Sequence, residues 1–342
     1  MLLAHRLSTP VPDLREASEV LVIKPSSLGD VIHTLPAIAW LRATWPHLKV
    51  RWVVNTEWAP VLRGSPVVDE AIEFPRRQFR GLGGLFRGLR WMATLGKTDR
   101  DRADVALDFQ GLFRSALMAR ASGAAFVAGL DDAREGAPLF YSAMAPTAPG
   151  SHSIERYLAL VRRFGADESL AAQAIAGDWL PEGTAPPVPL PDRCVVIHPF
   201  ARGHGKSLGW PEVATLARHL TDRNLVVVGI SSDPPPSLPD HVVNLANRTS
   251  LGELIWILRR AACAISVDSG PMHLASALGR PLIGIHTWSD PRKVGPFSPS
   301  AQIWRAGQIL SRGEITDAIA ARTDTPEEHD LALIASRVTA LL

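Results

Sequence analysis

One pattern constrains this chain more than any other. A short apolar strand, a turn of small residues, a helix and a second apolar strand occur in that order in each half of the sequence. In the first half, EVLVIK (19–24) has the β-branched character of a strand buried on both faces and ends in PSSLGD. The helical spacing of VIHTLPAIAWLRATWP follows, with Pro36 at an early turn or a kink and Pro46 as the stop, and KVRWVVN (49–55) is the next strand. DVALDFQ (104–110) reads as a further strand, with a helix over 112–121 ending at Gly123 and AAFVAGL after it. The second half repeats the order: CVVIHP (194–199), a helix over 210–223, NLVVVGI (224–230), then strand, turn, helix and strand in CAISVDSGPMHLASALGRPLIGIH (263–286). Alternation of this kind predicts an α/β protein with a parallel sheet in each half and ligands at the carboxyl ends of the strands.

The 342 residues suffice for two domains. Between the halves, GDWLPEGTAPPVPLPD (177–192) is dense in Pro and Gly and without periodicity, as an interdomain linker is. The expected domains are therefore 1–183 and 184–342, with the last helix packing back on the first. Apolar residues make up 46% and charged residues 20%, the balance of a folded protein. A formal charge of +2 gives no reason to expect nucleic acid as a partner. Cys194 and Cys263 lie within apolar runs and read as small core residues. No apolar run approaches the ~20 residues of a membrane-spanning helix, and a cytoplasmic location is expected.

Four segments place reactive groups at predicted strand ends or loops. Asp30, in KPSSLGDVIHTLPA, is set either to accept a proton from an attacking hydroxyl or to cap the helix that follows it. In DSGPMH (268–273), Ser269 and Gly270 fall at a helix start, where free amides and the helix dipole favour phosphate. Asp268 would repel phosphate there unless it turns to a hydroxyl or to the loop. His273 is either a phosphate donor or a core histidine. HPFARGHGKSLGWPE (198–212) offers Arg202 and Lys206 beside glycines, a diphosphate cradle or a solvated loop. A P-loop would need glycine at Phe200, so ATP hydrolysis is not expected. RRQFRGLGGLFRGLRW (76–91) has five arginines, including Arg76, Arg77 and Arg80, and no acid, with Phe79, Leu82, Leu85, Phe86 and Trp91 among them. It suits an anionic membrane surface or a phosphorylated acceptor, or is a solvated face. No H-x-x-x-H or short Cys spacing suggests a metal, no D-x-D stands in a plausible donor turn, and no G-x-G-x-x-G follows the first strand.

Taken together, these segments resemble the bacterial heptosyltransferases of glycosyltransferase family 9. KPSSLGD is similar to the family's lysine-x-Ser-Ser-x-Gly-Asp opening and DFQGLFRSALMARASGA to its Asp-x-Gln-Gly segment, and GWPEVATLARHL, VDSGPMHLASALGRPLIGIH and SDPRKVGPF (289–297) follow in family order. The resemblance implies a GT-B architecture of two Rossmann-like domains with parallel sheets facing a cleft. It implies inverting, metal-independent transfer of heptose from ADP-heptose to the lipopolysaccharide inner core, with no cofactor beyond the nucleotide sugar. By motif position Asp30 is the base. Lys206, with Asp268, Ser269, Gly270 and His273, holds the donor, and Thr249 lies near its nucleotide base. The basic stretch would meet a phosphorylated lipid-linked oligosaccharide acceptor, with peripheral contact at the anionic inner membrane. The chain departs from the family where Phe200 and Ala201 replace hydroxyl residues, leaving Arg202 and backbone for phosphate. It departs again in the Pro-rich SSDPPPSLPD, where Asp233 is the candidate for the donor ribose. Alternatives are another nucleotide sugar or acceptor, or a non-catalytic nucleotide-sugar binding protein.

Overall fold

The computed structural model describes residues 2–79, 81–96, 102–203 and 205–342. The chain divides into two compact units, Met1–Pro181 and Glu182–Leu342, so the break falls inside the Pro-rich linker.

The first unit is built on a six-stranded parallel sheet of β1 (Glu19–Ile23), β2 (Lys49–Asn55), β3 (Glu70–Phe74), β4 (Val105–Asp108), β5 (Phe126–Leu130) and β6 (Ala143–Ala145). Its strand order is 3-2-1-4-5-6, which reverses direction between β1 and β4. Such a reversal leaves a crevice at the carboxyl ends of the two strands. Every residue of β1 is buried, as a central parallel strand covered on both faces requires. The helices are α1 (Leu2–Ser8), α2 (Leu28–Thr44), α3 (Leu82–Met92), α4 (Phe113–Ala121), α5 (Ser153–Arg162) and α6 (Glu168–Ile175).

The helix after β1 is buried almost all round, packed against α5 and α6. Leu35, Ile38 and Trp40 are each 0% exposed, and burying a side chain of this size stabilises by about 2 kcal/mol. Pro36 lies in the interior of α2 and not in its first turn. It removes one amide from the helical ladder, yet the packed surroundings carry the helix on to Thr44.

The second unit holds a seven-stranded sheet of β7 (Val195–His198), β8 (Leu225–Val227), β9 (Val242–Asn244), β10 (Cys263–Val267), β11 (Leu282–Ile285), β12 (Ala301–Arg305) and β13 (Gln308–Leu310). The order is 13-12-11-10-7-8-9, with its reversal between β7 and β10. One strand departs from the parallel expectation: β13 runs antiparallel to β12. The cause is local, a tight turn in which Ala306 and Gly307 both take positive φ, at 49° and 77°. The helices are α7 (Trp210–His219), α8 (Leu251–Arg260), α9 (Gly270–Ala277), α10 (Pro291–Val294), α11 (Asp317–Ala320) and α12 (Glu328–Leu341). Of these, α7 ends four residues before the predicted Arg223, because Leu220 leaves helical geometry and the chain turns back through an Arg223 N–H to Leu220 carbonyl bond. The last helix packs on α7, and its Leu331, Ile334, Ala335 and Val338 belong to the core of the second unit. Both cysteines are buried in this unit, Cys263 within that core. No described helix is long and apolar enough to cross a membrane.

Candidate active site

The reversal point of the first sheet gathers charged groups that the strands themselves deliver. Lys24 follows β1 directly and is buried, its Nζ donating to the Phe109 carbonyl at 3.0 Å and lying 4.8 Å from the centre of the Tyr157 ring. Burial pulls its pKa below the usual lysine range, while Asp30 and Asp108 act in the opposite sense. Asp108, at the end of β4, is fully buried and accepts from the Gln110 and Gly111 amides, the Ser115 hydroxyl and the Tyr141 phenol at 2.7–3.1 Å. These donors oppose the burial that raises its pKa. Gln110 reaches back: its Oε1 accepts from the Ser26 amide at 3.2 Å. The Asp-x-Gln-Gly segment therefore braces the turn after β1.

Asp30 is the third residue of α2 and half-buried. Its Oδ2 accepts from the Ser27 amide at 3.0 Å and the Ser27 hydroxyl at 2.8 Å, while Oδ1 accepts from the Tyr157 hydroxyl at 3.3 Å. The capping role and the base role weighed on the sequence are thus compatible. One oxygen ties down the helix start, and the other is steadied by a longer, weaker bond. Burial first, then the Asp30 charge, raises the Tyr157 pKa well above its ordinary value, so the phenol stays a donor at neutral pH.

Beside this turn lies a cavity of about 100 Å³ lined by Ser26, Asn55, Arg76, Gln110 and Arg114 among others. It opens at the carboxyl ends of β1 to β4. Arg76 is thus placed on a cavity wall. Arg77 is exposed and paired with Glu57 at 2.7 Å, and Arg80 lies outside the described residues.

In the second unit the corresponding reversal point holds His198 and Asp268. The Ser269 hydroxyl caps no amide; it lies 3.1 Å from His198 Nδ1 and donates to the Val267 carbonyl at 3.1 Å. Gly270 opens α9 and Pro271 follows, so the second position has no N–H to offer. Asp268 is largely buried, with Ser289 Oγ donating to its Oδ2 at 2.6 Å and Lys206 Nζ 3.4 Å from the same oxygen. Burial disfavours the ionised carboxylate, but His286, Ser289, His273 and Lys206 outweigh it, leaving the pKa below the usual value. His273 is buried in the first turns of α9, close enough to Asp268 to help hold its charge. His198 and His286 are buried, and burial pushes both pKa values down to about 4.

Lys206, Asp268, Ser269, Gly270 and His273 therefore converge. Arg202 is exposed on the loop before Lys206, and Asp233 is exposed on the Pro-rich segment. Thr249 donates to the Leu245 carbonyl at 2.9 Å. No described hydrogen bond joins these three to the Lys206 cluster. The loops carrying Asp233 and Thr249 are clamped together instead, Asn247 bonding the Ser231 amide at 3.0 Å and carbonyl at 2.8 Å. Sequence reasoning missed Lys24, Tyr157, His198 and His286 as site residues. Lys24, His198 and His286 shared a signal, a polar residue closing an otherwise apolar strand. Tyr157 had none, standing 127 residues from Asp30.

Comparison with known proteins agrees with this geometry. The family model for glycosyltransferase family 9 (heptosyltransferase) matches residues 92–314. Lipopolysaccharide heptosyltransferase 1 of Pseudomonas aeruginosa is 29% identical over 297 residues, covering 82% of each chain. That of Escherichia coli is 27% identical over 316 residues, covering 84% of this chain and 93% of its own. Among solved structures, E. coli heptosyltransferase WaaC with ADP is similar at a TM-score of 0.71 and 22% identity, covering 95% of this chain and 100% of that one. The likeness to WaaC is one of fold, and the two α/β units are those of a GT-B protein. The sheets, the ordered motifs and the family match agree: the chain is a glycosyltransferase and belongs to glycosyltransferase family 9.

Proposed function

We propose that this glycosyltransferase moves heptose from ADP-heptose to the inner core of lipopolysaccharide, with inversion at the anomeric carbon and without a metal. The curated relatives are named for lipopolysaccharide heptose transfer, and WaaC has been solved with ADP and with ADP-2-deoxy-2-fluoro heptose. The single observation that carries the chemistry is the Asp30 carboxylate, fixed by Ser27 through one oxygen and bonded more loosely through the other. In the proposed step an acceptor hydroxyl gives its proton to Asp30 and bonds to the anomeric carbon as the bond from that carbon to the β-phosphate oxygen breaks. One displacement at that carbon inverts it.

ADP leaves carrying an additional negative charge. Lys206 and the helix end at Gly270 supply the compensating charge, and donors set in place for a leaving group carry much of a rate enhancement. Asp268 serves as the partner that keeps Lys206 in position until phosphate displaces it. Arg202, Thr249 and Asp233 are assigned to the outer parts of the donor, and Arg76, Arg77 and Arg80 to the anionic groups of a lipid-linked acceptor at the inner membrane surface. No cofactor other than the nucleotide sugar takes part.

A second reading keeps the reaction but changes the sugar nucleotide, and the exposed Asp233 in a Pro-rich segment favours it. The test for both is purified protein with a soluble deacylated lipopolysaccharide-core acceptor and ADP-heptose, GDP-sugars or UDP-sugars, with and without chelator. Consumption of ADP-heptose alone, unchanged by chelator and giving product of inverted anomeric configuration by NMR, is expected. Retention of configuration would end the single-displacement scheme, and preference for another nucleotide would select the second reading.

A further inference from the structure

The arginine-rich segment folds in an inverted way. A helix on a protein surface ordinarily buries its large apolar side chains and exposes small or polar ones. Among the described residues of α3, Gly84 and Gly88 are buried, while Phe86 is 74% and Leu89 47% exposed. The reason is steric. A Cβ on Gly84 would lie 2.3 Å from the Phe79 carbonyl carbon, and one on Gly88 would meet the Phe79 ring at 3.5 Å. Glycine at 84 lets the helix lie directly on the preceding turn, whereas a Cβ at 88 would make only ordinary contact. Trp91, three residues beyond Gly88 and on the same face, packs on Phe74 with ring centres 4.9 Å apart. This face fixes α3 to the unit, with the exposed Arg87 donating back to the Gln78 carbonyl at 2.9–3.1 Å, and the opposite face presents Phe86 and Leu89 outward with the exposed Arg90 beside them.

Two exposed large apolar residues on one short helix are an unfavourable arrangement unless something covers them. The charge of the segment says what. Residues 75–96 contain five arginines and no acidic residue. A cationic face with a protruding aromatic and a leucine is complementary to the headgroup region of an anionic bilayer. Phe113 is 48% and Leu139 64% exposed as well, and Phe113 precedes Arg114, which lines the cavity described above together with Arg76.

We propose that α3 is a membrane-docking helix, inserting Phe86 and Leu89 among the headgroups of an anionic phospholipid surface while the neighbouring arginines pair with lipid phosphates. The inference deepens the reading of a lipid-linked acceptor, because it gives the first unit a way to reach a substrate that does not leave the membrane. Gly84 selects this face: turning α3 so that a larger residue took its place would drive a side chain into the Phe79 backbone.

The experiment is co-sedimentation of the full chain with vesicles of phosphatidylcholine containing phosphatidylglycerol, against vesicles of phosphatidylcholine alone. Binding to the anionic vesicles only, weakened by salt, is expected. The double variant Phe86→Ser, Leu89→Ser should lose about tenfold in partitioning, and Arg90→Gln about fivefold. Both leave folding unchanged because the residues are exposed, which a thermal melt verifies. The same double variant should transfer sugar normally to the deacylated acceptor and slowly to acceptor embedded in vesicles. Unchanged partitioning of the double variant, or no preference for anionic vesicles, would overturn the proposal. So would self-association through this face without vesicle binding. A chain that binds vesicles but transfers nothing to the soluble acceptor would break the proposed reaction and leave the docking helix standing.

Discussion

Asp30 and Asp268 occupy comparable places, each shortly after a strand that borders the reversal point of its sheet, and their surroundings treat them in opposite ways. The hydrogen-bond donors described at Asp30 are neutral, the Ser27 amide and hydroxyl and the Tyr157 phenol, while the charges of Lys24 and Arg156 also act on this half-buried carboxylate. Around Asp268 a cation is included, with Lys206 3.4 Å away and Ser289 donating to the same oxygen. A carboxylate whose described hydrogen bonds come from neutral groups is suited to take up a proton, whereas one bonded to an ammonium serves as its counter-ion. The same residue type thus suits a base in the first unit and a placeholder for phosphate in the second.

The most severe way to break this comparison is Asp30→Asn. It should lower kcat by about 10² or more with ADP affinity nearly unchanged, and turnover close to the parent's would remove the base. Next comes pH. His198 and His286 have pKa values near 4 when folded and an ordinary value of 6.5. Between these limits the unfolded chain binds more protons, so stability contributed by the neutral rings is present at pH 7 and is lost as pH falls through that window. The cost at pH 5 is about 2 kcal/mol per histidine, roughly 30-fold in the folding equilibrium. Urea melts at pH 7 and 5 check it, and equal stability at both would mean that the rings are not sealed from water.

Lys206→Ala should raise the ADP dissociation constant about tenfold, the loss of one charge-assisted contact, while leaving acceptor KM alone in steady-state assays. If donor and acceptor weaken together, Lys206 is structural and its contrast with Asp30 disappears. The smallest change expected is in Tyr157→Phe, about threefold in kcat for one long hydrogen bond. Its signature is a displaced acidic limb of the kcat–pH profile, and a change in KM alone would show that Tyr157 does not act through Asp30.

Much of this was legible in the sequence because central strands and their turns are local objects. EVLVIK, KVRWVVN and CAISV announced β1, β2 and β10 by composition, and the small residues after β1 and β10 marked the turns that carry Asp30 and Asp268. EAIEF did not announce β3, since its charged residues serve a strand near the sheet's outer edge, where side chains reach water. Asp30 was visible by position, and its bonds to Ser27 show the cap, whereas the base role belongs to the proposed reaction. Arg202 was chosen for its place beside Lys206 in a glycine-containing loop and Asp233 for its place after the strand NLVVVGI, and neither kind of signal says which way a loop residue is turned. The inverted face of α3 was hidden for a related reason. Glycine reads as a helix breaker in a sequence, and only the approach of Phe79 shows it acting as a contact surface.

Arg305 has a consequence for substitution and truncation. The side chain is 0% exposed at the end of β12, and its guanidinium donates to the carbonyls of His286, Ser289, Ile319, Ala320 and Ala321 at 2.5–3.3 Å. A lysine has three donors on a point charge and cannot span that ring of acceptors. The residue acts as a keystone between the segment holding Ser289 and a stretch more than thirty residues later. Shortening the chain before residue 319 removes these acceptors together with the last helix, whose Leu331, Ile334, Ala335 and Val338 belong to the core, so such a fragment should lose nucleotide affinity and circular dichroism together. In Arg305→Lys, which keeps every strand and that helix, nucleotide affinity should fail before circular dichroism does.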